Sequence, residues 1–240
     1  MITIALAANA ADTGHHWGYG GEHGPKEWGE LEPGFAQCKL GKSQSPIDIR
    51  NTKKAALPAL DFQYAKSSAE VVNNGHTIQV SLASGGELNL DGVPYKLLQF
   101  HFHAPSEEKI NGKAYSMVAH LVHQNAEGKL AVVAVLLKEG KANAALGPVF
   151  ENLPQTEGAR KTLGADLNAA DLLPAGRGYF KFVGSLTTPP CSEDVRWQVL
   201  KQPVEVSKAQ IASFRKLYKM NARPVQALNG RTIEESQSIF

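Results

Sequence analysis

Apolar and polar side chains alternate with a period of two through much of the first two-thirds of the chain, the pattern of half-buried strands. Segments 62–64, 70–72, 77–82 and 87–90 read this way, separated by the turn-forming runs Asn73-Asn74-Gly75 and Ser84-Gly85-Gly86. Segments 96–103, 116–123 and 130–138 are predicted as the central strands. The last is apolar on both faces and is expected deep in the sheet. Segments 179–183 and 195–200 flank Gly184 to Cys191 as two more strands. Helical spacing is rarer. Leu146, Val149, Phe150 and Leu153 form a stripe over 142–153, interrupted by Gly147-Pro148, and 168–173 reads as one short helix ended by Pro174. The clearest helix covers 207–218: Ser207 and Gln210 make a capping box, and Ile211, Phe214, Leu217 and Tyr218 form its apolar face. Glycines and aromatics cluster between His15 and Trp28, which reads as an irregular segment laid over a surface, and 42–49 reads as a turn entering a strand. Beyond Asn221 the chain looks irregular until its end. The pattern contains no repeat, linker or low-complexity segment, and 240 residues suffice for one large β-rich domain.

Composition narrows the function classes. A net charge of +2 with no Lys/Arg run gives no sign of nucleic-acid binding. The longest apolar run, 130–137, is far too short to span a membrane as a helix. Cys38 and Cys191 are too far apart in sequence to form a metal knuckle, so they are either buried thiols or one long-range disulfide. At the N-terminus, 2–8 is apolar and Ala8-Asn9-Ala10 resembles a signal-peptidase site, without a basic segment before it. Residues 1–11 therefore read as the remnant of a signal peptide or as a disordered tail, and 12–240 as one folded domain. Export would permit the disulfide.

The candidate chemistry lies in Gln99-Phe100-His101-Phe102-His103 and in His120. On a strand, residues i and i+2 share a face, so His101 and His103 stand together with the Phe rings turned away. Residues 104–113 contain Pro105, Asn111 and Gly112 and can reverse the chain, so an antiparallel partner would bring His120 beside the first two. Three neutral imidazoles without a thiolate suit zinc with a fourth position open. On these residues alone, however, a His-x-His pair is more often structural. Likewise Glu107 alone reads as a loop carboxylate, Thr187 as a turn residue and His76 as a surface histidine.

Eight motifs in register go further: His-Trp-Gly-Tyr at 16–19, Gln-Ser-Pro-x-x-Ile at 44–49, Asn-Asn-Gly-His at 73–76, Gln-Phe-His-Phe-His at 99–103, Ser-Glu at 106–107, Ala-His-Leu-Val-His at 119–123, Ser-Leu-Thr-Thr-Pro-Pro at 185–190 and Asn-x-Arg-Pro at 221–224. With them the chain closely resembles the α-class carbonic anhydrases in their bacterial, exported (periplasmic or secreted) form, over roughly residues 14–233. The resemblance implies a mostly β, α+β single domain: a central twisted, largely antiparallel sheet of about ten strands with small peripheral helices. It implies reversible hydration of CO2 to bicarbonate and a proton by attack of zinc-bound hydroxide.

The resemblance also assigns residues. His101, His103 and His120 would hold Zn2+, with Gln99 supporting one of them. Thr187 would orient the nucleophile while bonded to Glu107. Val122, Val132, Leu186, Val195 and Trp197 would form the CO2 wall, and Thr188 would bind bicarbonate. By sequence alone those five wall residues are ordinary core residues. His76 would shuttle protons through waters ordered by Tyr19 and Asn74. His123 reads as structural, and His15, His16 and His23 as surface residues. Family members pair the two cysteines seen here, are expected to be inhibited by anions and sulfonamides, and often form homodimers. Pro46 and Pro190 are expected to be cis.

One position departs from the pattern. The residue two before the third zinc histidine is usually Glu in the family and accepts that histidine's other ring N–H, whereas here it is Val118. His120 is therefore expected to rely on a water, a backbone carbonyl or a distant side chain, and to lose zinc faster than in a Glu-bearing relative. Val118→Glu is expected to slow that loss. Two other readings compete: a cupin-type iron or manganese enzyme with Glu107 as ligand, and a binding module of this family that has lost its metal. The second cupin motif is not evident, and all three histidines are present.

Overall fold

The computed structural model describes residues 17–164 and 166–237. The readings of residues 1–11, His15 and His16 fall outside them. The strands that matter are β1 (Ala69–Asn73), β2 (Ile78–Leu82), β3 (Val93–His103), β4 (Met117–Gln124), β5 (Leu130–Glu139), β6 (Tyr179–Gly184) and β7 (Val195–Leu200). They lie in the order β1-β2-β3-β4-β5-β7-β6, continued by Arg160–Thr162 beyond β1 and by Glu234–Ser236 and Lys53–Ala55 beyond β6. This ten-strand path belongs to a sheet of thirteen strands among the described residues. Most neighbours are antiparallel; β5 runs parallel to β7.

Sequence and structure agree on each central strand to within three residues at either end. Helix α1 (Lys208–Leu217) carries the anticipated capping box, with Ile211 and Phe214 buried. The helical stripe over 142–153 is a correction. Only Gly147–Phe150 is helical, because Asn143 Oδ1 accepts the Leu146 N–H at 3.0 Å and holds the preceding residues in a turn. Pro148 also suits only a first turn. The short helix near 168–173 is a 3-10 turn, Ala169–Leu172, capped by Asn168. The glycine- and aromatic-rich segment is irregular apart from a 3-10 turn at Gly21–His23, and short helices follow at Trp28–Leu31 and Gln37–Leu40. The bonds preceding Pro46 and Pro190 are cis, as is that preceding Pro105.

The sheet is covered on both faces. Phe100, Phe102, Ala119, Leu121, Val133 and Val135 belong to the larger apolar cluster, which also receives Phe214 from α1. Val118, Val122, Val132, Ala134, Val195 and Trp197 form the second. The alternation along β3 and β4 thus sorts side chains between two cores, and it turns the three histidines away from the phenylalanines.

His123 is structural, as the sequence indicated. Its Nδ1–H donates to Ala131 O at 3.3 Å, so Nε2 accepts from the Tyr64 hydroxyl at 2.6 Å. Burial pushes its pKa down to about 4, against backbone hydrogen bonds that work the other way. Between pH 6.5 and about 4 the unfolded chain takes up a proton that the folded chain refuses, so stability is lost as pH falls through that window. The full effect is about 3 kcal/mol. Urea unfolding from pH 7 to pH 4 should show a steeper loss for the native protein than for His123→Gln, a difference that separates His123 from the other buried histidines. Parallel curves would remove His123 as the cause.

Candidate metal centre

In the β3–β4 ladder His120 lies directly opposite His101, and Val118 opposite His103. Directly paired residues of antiparallel strands project to the same face, so this register delivers three imidazoles to one spot. Ring centroids are 5.0 Å apart for His101–His103, 5.5 Å for His101–His120 and 4.7 Å for His103–His120. One nitrogen from each lies within 4.8 Å of the others.

Hydrogen bonds decide which nitrogen each ring presents. His101 Nδ1 donates to Gln99 Oε1 at 2.9 Å, His103 Nδ1 to the Asn221 carbonyl at 2.7 Å, and His120 Nε2 to the Glu108 carboxylate at 3.1 and 3.2 Å. These oxygens only accept, so each bonded nitrogen carries the proton. The lone pairs left over are His101 Nε2, His103 Nε2 and His120 Nδ1. His103 Nε2 is buried with no hydrogen-bond partner, and Glu107 Oε2, 3.4 Å away, is equally unpartnered. An orphaned lone pair is costly in a protein interior, and a cation between the three rings would satisfy that of His103. The donor set fits zinc.

Charges agree. Burial, with His120 adding, lowers His101 to about 3 and holds His103 well below the usual imidazole range, so both keep lone pairs. Burial alone would lower His120 too, but the charge and hydrogen bond of Glu108, with Glu107 behind them, raise it. Burial lifts Glu107 to about 8 against the pull of His120, Thr187 and the Arg223 N–H.

Glu108 is the distant side chain that the sequence reading left open for His120. No acid occupies position 118, yet His120 has its carboxylate, supplied by the loop between β3 and β4. The expected weakness in zinc retention rested on that carboxylate being missing, so its basis is gone.

Glu107 accepts the Arg223 N–H at 2.7 Å, and the neighbouring Thr187 side chain works against the rise in its pKa. A cleft of about 130 Å³ above the histidines is lined by Tyr19, Asn74, His76, Gln99, His101 and Thr188 among others. His76 is half-buried and stacks on Trp17, centroids 3.6 Å apart and planes 7° apart. Val122, Val132, Val195 and Trp197 lie in one cluster, with Leu186 packed against it. Trp197 meets His120 edge-on at 5.0 Å. His23 is exposed, as expected.

Cys38 and Cys191 are bonded, which settles the two open readings of the cysteines. The bond sits with buried Trp28, against Trp17 and Tyr19. It ties the N-terminal segment to the loop carrying Thr187 and Thr188, where the Arg223 guanidinium also donates to Cys38 O at 2.9 Å and to Ser45 O at 2.7 Å. Sequence reasoning gave no individual task to Glu108, Asn221, Arg223 or Trp17. The motif Asn-x-Arg-Pro at 221–224 was the only signal for two of them.

Residues 23–237 match the profile of the family described as eukaryotic-type carbonic anhydrase. A carbonic anhydrase of Pectobacterium carotovorum is 42% identical over 234 residues, covering 97% of this chain and 96% of its own. One of Klebsiella pneumoniae is 46% identical over 225 residues, covering 92% and 91%. Among solved structures, the α-carbonic anhydrase of Thermovibrio ammonificans in complex with sulfanilamide superposes with a TM-score of 0.90 at 47% identity. It covers 92% of this chain and 99% of its own.

Proposed function

The chain belongs to the eukaryotic-type, or α-class, carbonic anhydrase family and is an enzyme of that family, and we propose that it hydrates CO2 reversibly at a zinc ion held by His101, His103 and His120. The observation that carries this reading is the convergence, within 4.8 Å, of three imidazole nitrogens whose ring partners commit the opposite nitrogens as donors. Bound zinc supplies a nucleophile at neutral pH by acidifying a coordinated water, chemistry for which carbonic anhydrases are the standard example.

The protein's residues do the rest. Thr187 would donate its hydroxyl as a hydrogen bond to Glu107, leaving its oxygen free only to accept from the nucleophile's O–H, which would fix the direction of the nucleophile's lone pair. Burial of Glu107 (1% exposed) keeps water from competing for this bond. Val122, Val132, Leu186, Val195 and Trp197 offer CO2 an apolar wall that competes poorly for water, and Thr188 donates to bicarbonate. The product proton leaves through waters held by Tyr19 and Asn74 to His76, because histidine is the side-chain type whose unperturbed pKa, near 6.5, suits loading and unloading a proton at neutral pH. The disulfide supports export to the periplasm or the exterior, where such bonds persist. Sulfonamides and anions are expected to inhibit by occupying the position above the three histidines.

The test pairs zinc content with CO2 hydration, before and after a strong chelator and again after zinc is returned. Activity should track zinc through all three stages. Activity that survives complete zinc removal would sink the reading.

The shuttle has its own test. His76→Ala should slow turnover in dilute buffer, by up to roughly 100-fold, the low end of what a positioned proton-transfer group contributes. Added imidazole should restore part of the loss. Turnover that is unchanged at every buffer concentration would route the proton elsewhere.

A further inference from the structure

We propose that Glu108 is the positioning carboxylate of this metal centre: by accepting the Nε2–H of His120 it fixes that ring's tautomer and rotation, so that Nδ1 faces the metal. The proposal rests on the reading of the three histidines as zinc ligands and adds a residue that the family pattern does not predict. The usual place for this acid is two residues before the third histidine. Here that place is Val118, fully buried in the apolar cluster with Val122 and Val132.

Three observations carry it. Both Glu108 oxygens lie at hydrogen-bond distance from His120 Nε2, 3.1 and 3.2 Å, and neither residue is more than 1% exposed. No other hydrogen-bond donor approaches the Glu108 carboxylate among the described residues, so its whole polar requirement is met by this one ring. Such exclusivity is expected of a group placed to hold the imidazole.

The backbone around Glu108 is also pinned. Ser106 Oγ donates to Glu108 O at 2.8 Å and accepts the Tyr115 N–H at 2.8 Å, while the Ser106 N–H donates to Tyr115 O at 3.0 Å. On the other side the Lys109 N–H donates to Ile47 O at 3.3 Å, and Lys109–Ile110 pairs with Asp48–Ile49. The carboxylate is therefore presented by a fixed frame.

Finally, the neighbouring Glu107 places Oε2 3.8 Å from the opposite nitrogen, His120 Nδ1. That nitrogen carries no hydrogen, so Glu107 makes no hydrogen bond to the ring, and Glu108 alone holds it. The two adjacent acids divide the work: Glu107 lies on the metal side of the ring, Glu108 behind it.

This arrangement reverses the sequence-based expectation for Val118→Glu. With Glu108 already bonded to the only available N–H, a second carboxylate at 118 would be buried without a donor. It should therefore not slow zinc release in the otherwise native protein. In a Glu108→Ala background the same substitution supplies the missing acceptor along the same strand face as His120.

The experiment measures zinc release to a chelator for the native protein, Glu108→Ala, Glu108→Gln, Val118→Glu and the double variant Glu108→Ala/Val118→Glu. In parallel, the His120 ring tautomer is read by 15N NMR of the metal-free proteins labelled at histidine. Glu108→Ala should release zinc roughly 10–100-fold faster, the usual cost of losing such a partner, and should lose the fixed Nε2–H tautomer. The double variant should recover most of both, which a purely structural role for Glu108 would not allow. Glu108→Gln preserves shape, so it serves if the alanine variant fails to fold, and it should fall between the two. Native release rates and an unchanged tautomer in both Glu108 variants would overturn the proposal, as would a double variant no better than Glu108→Ala. A native protein that takes up no zinc yet keeps the Glu108-dependent tautomer would instead defeat the catalytic reading and leave the pairing standing.

Discussion

CO2 hydration should disappear in His101→Ala and in His120→Ala while both chains still fold. Each ring contributes one of the three imidazole lone pairs that converge at the site, and among the described residues no fourth His, Cys, Asp or Glu joins that cluster. Loss of a partner behind a metal ligand typically costs 10–100-fold in metal affinity or activity; loss of the ligand itself should cost more. Folding should survive because neither apolar cluster includes the imidazoles. His101→Ala is the milder change, since His101 borders the cleft and is only partly buried. His120→Ala also strips Glu108 of its N–H donor and should be the less stable of the two. Zinc per chain, CO2 hydration and circular dichroism on the same samples check this. Full activity in either variant would end the proposal that these histidines hold the catalytic metal.

Removing the Cys38–Cys191 bond should cost a large share of the protein's stability. The bridged residues are 153 apart in sequence, and the chain-entropy relation gives a loop of that size about 5 kcal/mol, with measured values often lower. Against a typical total of about 5–15 kcal/mol for a folded protein, that is a third or more of the margin. Part of the anchorage remains without it: Arg223 still donates to Cys38 O, and Gln44 Nε2 to Cys191 O at 3.0 Å. Cys38→Ala/Cys191→Ala is therefore expected to fold and to unfold at lower urea, with a stability loss of about 2–5 kcal/mol. Thr187 and Thr188 lie on the loop that the bond anchors, so activity near the midpoint should fall before the sheet melts. A double variant as stable as the native chain would show that the noncovalent contacts alone hold this loop. Intact-mass measurement on the unreduced native protein should find two hydrogens fewer than the dithiol.

Strands impose a period of two on any sequence that adopts them, and for that reason much of this protein was legible in one dimension. The alternation at 99–103 places His101 and His103 on one face with Phe100 and Phe102 on the other. A reversing loop followed by a second apolar strand is enough to expect His120 beside them, and the observed pairing of His120 with His101 is the simplest antiparallel register. The capping box at Ser207 was legible for the same reason: its partners are three residues apart, and local spacing settles what they can do.

What the sequence alone could not determine are the contacts whose partners lie on other segments. Whether Cys38 and Cys191 pair depends on where a short N-terminal helix comes to rest against a loop 150 residues away. Asn221 supports His103 through a backbone carbonyl, a group every residue has, so no side-chain pattern announces it. Glu108 is the sharpest case. The acid that His120 needs was sought on its own strand, where the period of two would place it, and Val118 was read as a loss. Tertiary structure brings the acid from the connecting loop instead, because Ser106, Tyr115 and the Asp48–Ile49 strand fix that loop where its carboxylate meets the ring. Periodicity fixes which face a side chain occupies, and only the packing of distant segments decides what it finds there.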